Sequence, residues 1–257
     1  MGIIGGQRIL FDKYIINLKI RKINISTMPA HIGIIMDGNG RWANKRGLPR
    51  NMGHRAGSEA LKRIVRFCND INIKYLTVFA FSTENWKRPK EEVDSLMQLL
   101  EQYLDEAKKE SDNNNIRLRI LGDISALSAN LQNKIIEVER KSALKQGLNL
   151  NIALNYGSRN EIVSAVRKIA EQVKDGLIDI PAINEQLFSS KLYTAGMPDP
   201  DLIIRPSGEK RVSNFLLWQS AYSEFWTSDI YWPDFKEKHL LDAIYDYQRR
   251  NRRFGGL

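Results

Sequence analysis

The sequence predicts an α/β protein, a single domain built on a mainly parallel sheet with helices on both faces. Three observations support this fold class. Short apolar runs alternate along the chain with longer stretches of helical period, which is the rhythm of β-α-β crossovers. The composition, 42% hydrophobic and 27% charged residues, is typical of a globular protein with a substantial core. The 257 residues contain no internal repeat or low-complexity linker, which favours one domain over two small ones.

The apolar runs place the strands, and the helices lie between them. Continuous apolar runs are typical of strands that are buried on both faces of a sheet. They occur at residues 32–36, 75–81, 116–121, 148–154 and 202–204. Helical periodicity predicts helices near residues 55–70, 90–110, 126–145, 159–174 and 234–251, with a turn over residues 112–115 before the third strand.

Cysteine usage and hydropathy limit the cellular setting. The one cysteine, Cys68, cannot form an intramolecular disulfide, and no Cys/His cluster at zinc spacing accompanies it. We therefore expect a cytoplasmic protein. No run approaches the roughly 18 apolar residues that a membrane span needs. Any contact with the inner face of a membrane would then be peripheral, or made through a lipid product.

Residues 1–28 differ from the remainder of the chain because basic residues dominate them. Five bases stand against one acid there: Arg8, Lys13, Lys19, Arg21 and Lys22 against Asp12. Apolar residues at positions 11, 14, 15 and 18 follow helical spacing, as in a helix on an anionic membrane surface. The favoured interpretation is a poorly ordered basic extension, or upstream sequence included by a wrong start, since Met28 directly precedes the first strand.

The residues after the first strand point to a phosphate site, because ligands of parallel α/β sheets bind at the carboxyl ends of the strands. Asp37 is followed by Gly38, Asn39, Gly40 and Arg41. Two glycines allow close approach of the backbone, and a helix that begins here would aim free N–H groups at an anion. Asp37 would repel a bare pyrophosphate, so we expect a divalent cation between them. The alternative is an Asp-Gly turn beside a solvated basic face.

A second group of polar residues follows the second strand. Within seven residues the chain presents a hydroxyl, a carboxylate, a carboxamide, an indole and a guanidinium: Ser82, Thr83, Glu84, Asn85, Trp86 and Arg88. This variety indicates a site rather than a core, although Ser82 or Asn85 could simply cap the next helix. Residues 155–158 after the fourth strand lead into another helix, where Ser158 and Glu161 form a capping box.

The last apolar strand leads into a second candidate phosphate site. Arg205, Arg211 and Ser213 could converge on phosphate oxygens, because guanidinium groups bind them bidentately. Glu224 follows among aromatic residues, where a carboxylate is costly unless it meets a cation or a metal.

The sequence lacks the motifs of several enzyme classes. There is no Gly-Lys-Ser/Thr loop of a P-loop nucleotidase and no G-x-S-x-G nucleophile elbow. The Asp-Asp-x-x-Asp cluster of the all-helical prenyl-chain enzymes is also absent. Two anion sites, a metal-bridging Asp37 and aromatic surroundings suggest a reaction between two diphosphates that carry apolar tails.

Four motifs, in this order, resemble the cis-prenyltransferase family, most closely the bacterial isoprenyl transferases of the undecaprenyl diphosphate synthase type. They are residues 31–42, residues 81–89, residues 205–219 and the Trp-Pro-Asp-Phe run at 232–235. The resemblance covers about residues 29–257 and implies a catalytic domain there. Its implied fold is a six-stranded, mainly parallel α/β sheet flanked by helices rather than an all-α bundle.

The resemblance also implies an activity and partners. Isopentenyl diphosphate is condensed repeatedly, with cis double bonds, onto an allylic diphosphate, either farnesyl or geranyl diphosphate. In a bacterium the long product, such as undecaprenyl diphosphate, would be the carrier lipid for cell-wall sugars. We expect a homodimer in which residues 249–256 of one chain approach the site of the other. No nucleic-acid partner is expected.

The same resemblance assigns roles to individual residues. Asp37 would organise Mg²⁺ and the departing diphosphate, and Glu224 would help to bind the metal. Asn85 takes the position of the proton acceptor, although a carboxamide is a weak base and the diphosphate is the alternative. Ala80 would leave the mouth of an apolar tunnel open. The implied substrate-binding residues are Gly38, Asn39, Gly40, Arg41, Trp42, Arg50, His54, Ser82, Thr83, Glu84, Trp86, Arg88, Arg205, Arg211, Val212 and Ser213.

Two other functions are alternatives to the family interpretation, and one residue departs from the family motif. The formal charge of +9 is compatible with a module that binds nucleic acid or an anionic membrane, whose arginines would cover one exposed face without Asp37 and Glu224 among them. Pro206 stands where the family motif has Thr, which removes a hydroxyl and an N–H from the phosphate loop. A subunit that has lost catalysis is a third hypothesis, which the joint presence of Asp37, Asn85 and Arg205 disfavours.

Overall fold

The computed structural model describes residues 14–251, apart from the side chains of residues 107–113. A six-stranded sheet of wholly parallel strands organises this part of the chain, in the order β3-β4-β2-β1-β5-β6. The strands are β1 (His31–Ile35), β2 (Tyr75–Ser82), β3 (Arg117–Leu121), β4 (Asn149–Tyr156), β5 (Leu202–Pro206) and β6 (Glu224–Ser228). The predicted fold class is therefore confirmed.

Helices connect the strands and lie on both sides of the sheet. They are α1 (whose described part is 14–20), α2 (Asn39–Asn44), α3 (Arg50–Asp70), α4 (Lys90–Asn114), α5 (Ala129–Ser142), α6 (Ser158–Lys174), α7 (Glu185–Ser189) and α8 (Glu237–Gln248). One face of the sheet packs against α3, α4, α5 and α8. The other packs around Tyr156 and Phe215, beside α6. All five residues of β1 are buried, as expected of a central parallel strand.

The five strands that the apolar runs predict are present, but those runs do not predict β6, and α4 extends past its predicted end. β6 follows no apolar run, because it is an edge strand whose side chains alternate between partly buried and exposed. The predicted turn at residues 112–115 is wrong, since α4 continues to Asn114 and ends at Asn115, which adopts the left-handed conformation at φ 53°.

The basic N-terminal segment is described only in part. Lys19 on α1 forms an ion pair with Asp242 on α8, and Asn24 donates its backbone N–H to Gln248 Oε1 at 3.1 Å. Arg8, Asp12 and Lys13 lie outside the described residues, as do residues 252–257. Within residues 14–251 no helix has the length and apolar character needed to cross a membrane.

The strand order places the candidate site. β1 lies between β2 and β5, and the chain passes to opposite sides of β1 for its earlier and later strands. Such a reversal opens a crevice at the carboxyl ends of the strands. Asp37 after β1 and Arg205 in β5 both lie at this crevice.

Candidate active site

Asp37 lies between two guanidinium groups at the centre of the crevice. Arg205 donates through Nη2 to Asp37 Oδ2 at 2.9 Å, and Arg41 Nη2 is 3.1 Å from Asp37 Oδ1. Burial alone would raise the pKa of Asp37, but the hydrogen bond and charge of Arg205, together with Arg41, lower it below its ordinary value. The carboxylate therefore stays ionised at neutral pH.

Close backbone packing brings the residues after β5 against Asp37. Ser207 donates its hydroxyl to the carbonyl oxygen of Asp37 at 2.7 Å. Gly38 has φ 96°, and a Cβ on it would lie 2.1 Å from Ser207 Oγ. Only glycine suits both the positive φ and this approach. The helix α2 then begins at Asn39, and Trp42 donates its backbone N–H to the Gly38 carbonyl at 2.8 Å.

The loop after β5, residues 205–214, which we call the β5 loop, folds around the Arg205 side chain. Arg205 donates through Nη1 to Ser213 Oγ at 2.7 Å and to the carbonyl oxygen of Arg211. Its side chain is only 7% exposed, so the guanidinium is held in a fixed orientation. Glu209 in the same loop accepts from Arg41 Nη1 at 3.2 Å and from Arg211 Nη1 at 2.5 Å.

Glu92, in the first turn of α4, contacts three of the predicted phosphate-binding side chains. Its Oε1 lies 2.9 Å from Arg88 Nη1, 3.1 Å from Arg50 Nε and 3.7 Å from His54 Nε2. Burial and the neighbouring Arg88 lower the pKa of His54 to about 4, although Glu92 acts in the opposite direction. The imidazole is therefore neutral at pH 7 and can donate from one ring nitrogen.

The segment after β2, residues 82–88, which we call the β2 turn, is closed by its own side chains. Ser82 Oγ accepts from the backbone N–H of Asn85, and Asn85 Oδ1 accepts from the backbone N–H of Ser82 at 3.1 Å. Trp86 packs edge-on against Phe81 and donates through Nε1 to Asn155 Oδ1 at 2.7 Å. Ser82 and Asn85 therefore cap the short 3-10 turn Thr83–Lys87 rather than α4, whose N-cap is Pro89, and both also line the site.

Two connected cavities meet beside these groups. A polar cavity of about 540 Å³ is lined by residues of both segments, including Asp37, Asn85, Arg205 and Ser213. A narrower apolar crevice runs from it between α3, α4 and the sheet, and it is lined largely by Leu, Met and aromatic side chains. Ala80 borders both cavities. The arrangement can hold a charged head in one cavity and an apolar tail in the other.

Three buried nitrogen atoms of predicted site residues lack a hydrogen-bond partner within the described part of the chain. They are Trp42 Nε1, His54 Nε2 and Arg205 Nε. Buried polar groups are normally paired, so such atoms indicate a ligand that is rich in acceptors. Phosphate oxygens satisfy this requirement.

The structure separates Glu224 from the other predicted residues. Glu224 pairs with Leu202 at the amino end of β5, whereas Asp37 and Arg205 lie at the carboxyl ends. Leu202 and Arg205 are three residues apart on β5, which corresponds to about 10 Å at ~3.3 Å per residue. Arg250 donates to Glu224 Oε2 at 2.6 Å. Within one chain Glu224 therefore lies apart from Asp37, and its metal role stays a prediction.

The residues at the carboxyl edge fit a magnesium ion that shares its ligands with a substrate. Mg²⁺ is commonly held by one or two carboxylates together with substrate phosphates. Asp37 supplies one ionised carboxylate at the polar cavity. Across residues 14–251, where side chains are described, no three His, Cys, Asp or Glu residues form a metal cluster of their own.

Most of the predicted substrate-binding residues converge. The polar cavity is lined by Asn39, His54, Ser82, Glu84, Arg88, Arg205 and Ser213 among them, with Asp37 and Asn85. The site also includes Gly38, Arg41 and Arg211, which contact its residues directly, and Arg50, which is connected through its ion pair with Glu92. Gly40 packs beside Arg50, and Trp42 lies under the Arg46 guanidinium at 4.2 Å. Thr83 and Trp86 face a neighbouring cavity with Asn155, and Val212 precedes Ser213 on the β5 loop.

Sequence reasoning missed the acidic residues that hold the cations. The Arg88 and Glu92 pair has i,i+4 spacing, which favours contact on a helix surface and is visible in the sequence. The contacts of Glu92 with α3 are tertiary and leave no such signal.

The predicted Ser158–Glu161 capping box is also wrong. Ser158 Oγ accepts from Leu217, and the buried Glu161 accepts from Tyr156.

Comparisons with known proteins identify the family of this chain. A family model described as "Putative undecaprenyl diphosphate synthase" matches residues 35–255. The isoprenyl transferase of Clostridium tetani is 54% identical over 236 residues, which cover 92% of each chain. That of Bacillus anthracis is 49% identical over 238 residues, which cover 93% of this chain and 92% of the relative.

Two crystal structures share the architecture. Lavandulyl diphosphate synthase from Lavandula x intermedia, in complex with dimethylallyl diphosphate, superposes with a TM-score of 0.87 at 39% identity and covers 89% of this chain and 99% of that one. A "probable undecaprenyl diphosphate synthase" from Campylobacter jejuni superposes with a TM-score of 0.74 at 35% identity over the same shares. The chain therefore belongs to the undecaprenyl diphosphate synthase family of isoprenyl transferases.

Proposed function

We propose that this isoprenyl transferase condenses isopentenyl diphosphate repeatedly, in the cis configuration, onto an allylic diphosphate such as farnesyl diphosphate. The observation that carries the proposal is the junction of a cation-lined polar cavity with an apolar crevice, beside Asp37 and Arg205. A structural relative was crystallised with dimethylallyl diphosphate, which is an allylic diphosphate. This ligand supports a diphosphate site at the corresponding cavity.

The allylic diphosphate occupies the cavity between α2 and α3. Arg41, Arg50 and His54 supply donors on one side, and the backbone N–H groups at the start of α2 supply others. Breaking the allylic C1–O bond leaves its electron pair on the diphosphate. Donors placed at those oxygens stabilise the developing charge more than the bound substrate, and so lower the barrier.

The second diphosphate binds to the β5 loop. Arg205 and Ser213 line the polar cavity, and Arg211 projects from the same loop. In this position the isopentenyl double bond attacks the allylic C1, and a proton leaves the neighbouring carbon to form the new double bond. Asn85 borders the cavity where that proton leaves. Since a carboxamide is a weak base, the released diphosphate takes up the proton and Asn85 positions it.

Asp37 would hold Mg²⁺ together with the oxygens of the allylic diphosphate. When bound, the ion supplies positive charge that neutralises the leaving diphosphate. The arginines on either side of Asp37 keep its carboxylate ionised and aimed into the cavity.

We further infer a long-chain product, and a homodimer as the working form. The apolar crevice gives a growing tail a path away from the charged groups. Because Arg250 holds Glu224 near the C-terminal end of the chain, a metal role for Glu224 belongs to an assembled dimer. A long polyprenyl diphosphate would also bring the protein to a membrane surface, where it would serve as a precursor of carrier lipid.

The test is incubation of the purified protein with farnesyl diphosphate and radiolabelled isopentenyl diphosphate, with and without magnesium. We expect a magnesium-dependent ladder that ends in a long polyprenyl diphosphate. A product that stops after one or two additions would overturn the long-chain assignment and keep the reaction. Absence of incorporation by the folded protein would overturn the proposed function.

A further inference from the structure

Asn214, the last residue of the β5 loop, makes three hydrogen bonds to two other parts of the molecule, two through its side chain and one through its backbone. Its Nδ2 donates to Glu84 Oε1 at 2.9 Å, and its Oδ1 accepts from the backbone N–H of Arg159 at 2.9 Å. Its carbonyl oxygen accepts from the backbone N–H of Ser158 at 2.9 Å. Asn214 therefore joins the β5 loop to the β2 turn and to the first turn of α6.

The contact with α6 replaces a conventional cap. The N-cap residue, Gly157, has no side chain to accept from the first N–H groups of α6, and Asn214 accepts from two of them. This use of Oδ1 fixes the orientation of the amide. Its donor nitrogen must then face Glu84.

The close packing around Asn214 requires glycine at position 157 and suits asparagine at position 214. A Cβ on Gly157 would lie 2.6 Å from Thr83 Oγ1 and 2.8 Å from Asn214 Nδ2, so glycine is needed for the two segments to meet. Asn214 itself has φ 63°, a conformation that Asn adopts more readily than most residues.

We propose that Asn214 is a positioning residue that fixes the β2 turn against the β5 loop, and so sets the distance between Asn85 and the Arg205–Ser213 diphosphate site. This inference rests on the proposed function, because it assigns Asn214 to the alignment of the two substrates. Glu84 directly precedes Asn85, and Ser213 directly precedes Asn214. A shift of either segment therefore moves one reacting group relative to the other.

The Asn214→Asp variant separates the two contacts of this side chain. Asp still accepts from Arg159, since Asp is as good a helix cap as Asn. Its second oxygen faces Glu84, where a repulsion between carboxylates replaces the hydrogen bond. In the double variant Asn214→Asp/Glu84→Gln the link returns with donor and acceptor exchanged.

We expect kcat of Asn214→Asp to fall about tenfold or more, in line with the loss of one hydrogen bond to a charged group. The protein should stay folded at the assay temperature, with only a small fall in melting temperature. The double variant should recover to the level of Glu84→Gln alone, so that the double-mutant cycle shows coupling. Asn160→Asp is the matched control, because it adds the same charge to the first turn of α6 at an exposed position.

Hydrogen–deuterium exchange gives a second measurement that needs no turnover. Asn214→Asp should speed exchange in residues 82–88, and the double variant should restore it. Unchanged activity in Asn214→Asp, or a loss that Glu84→Gln does not repair, would show that Asn214 is only a helix cap. If the parent chain incorporates no isopentenyl diphosphate, the proposed function fails separately, and the exchange data alone then decide whether the link exists.

Discussion

Arg205 and Asp37 face each other across the ends of two neighbouring strands, with Arg205 Nη2 2.9 Å from Asp37 Oδ2. The pair joins the two halves of the site, because Arg205 also holds Arg211 and Ser213 on the β5 loop while Asp37 leads into α2. Each of the two side chains is held in its orientation by the other. Substitution of either should therefore affect both diphosphate sites.

Replacing Asp37 with Asn keeps the side-chain shape and removes the charge. We expect magnesium-dependent incorporation of isopentenyl diphosphate to fall by about 10²- to 10³-fold, as with other losses of transition-state stabilisation. Steady-state assays across a magnesium titration measure this. Asp175→Asn, on the exposed end of α6, is the control and should leave the rate unchanged. Comparable losses in both variants would contradict a specific role for Asp37.

Removal of the Glu92 charge should loosen the cations that converge on it. In Glu92→Gln, Arg50 and Arg88 lose their shared counter-charge and repel each other, so the allylic site is less well organised before substrate binds. We expect kcat/KM for the allylic diphosphate to fall about tenfold. Glu91→Gln, the adjacent exposed position, is the matched control. Tighter binding of the diphosphate would show instead that Glu92 competes with it.

Acidification should destabilise the fold through His31. This residue is fully buried, with Nδ1 2.7 Å from the Pro198 carbonyl and Nε2 2.7 Å from Thr77 Oγ1. Burial lowers the pKa of His31 from 6.5 to about 4, against the opposing effects of the Pro198 bond and the Asp201 charge. Between those pH values the unfolded chain binds a proton that the folded chain does not. The free energy of unfolding therefore falls as the pH falls through this window.

The expected contribution of His31 is about 1.4 kcal/mol per pH unit within that window. Denaturant unfolding at several pH values between about 4 and 6.5 measures the slope. His31→Gln retains a hydrogen-bonding amide without the titration, so its slope should be shallower by that amount. Parallel slopes for the two proteins would show that other groups account for the acid sensitivity.

Enlarging Ala80 should shorten the product. Ala80 borders both the polar cavity and the apolar crevice, so Ala80→Leu places three more carbon atoms at their junction. We expect the first condensations to proceed and the ladder to stop early, as measured by chromatography of the labelled products. Ala182→Leu, at an exposed position, is the control and should give the parent ladder. A full-length ladder from Ala80→Leu would place the growing tail elsewhere.

The sequence predicts the buried strands better than it predicts the edge of the sheet. β1 and β5 are buried along their whole length, and each contains a short apolar run that marks the strand, at residues 32–36 and 202–204. β6 begins at Glu224 and is partly exposed on both faces, so its pattern does not stand out among the nearby aromatic residues. The six-stranded sheet was expected only from the family resemblance.

The candidate site shows a similar division. Asp37 and Arg205 lie at the carboxyl ends of β1 and β5, so the topology of a parallel sheet brings them together, and Ser213 lies on the loop that follows β5. Glu92 and Asn214 act across separate elements, and their partners are fixed by packing rather than by spacing. Glu224 was expected to meet a cation or a metal among aromatic residues. In the single chain it meets the cation of Arg250, and its metal role stays a prediction.

The pairing of β1 with β5 also determines when the site can form during folding. Asp37 and Arg205 are 168 residues apart in the sequence, so their contact closes most of the chain into one loop. Contacts of such long range have a high entropic cost and form late. A nascent chain can assemble the four strands β1, β2, β3 and β4 well before it has a complete diphosphate site. Activity therefore reports completion of the fold, and a chain that ends before β5 would hold most of a sheet but half of its charged groups.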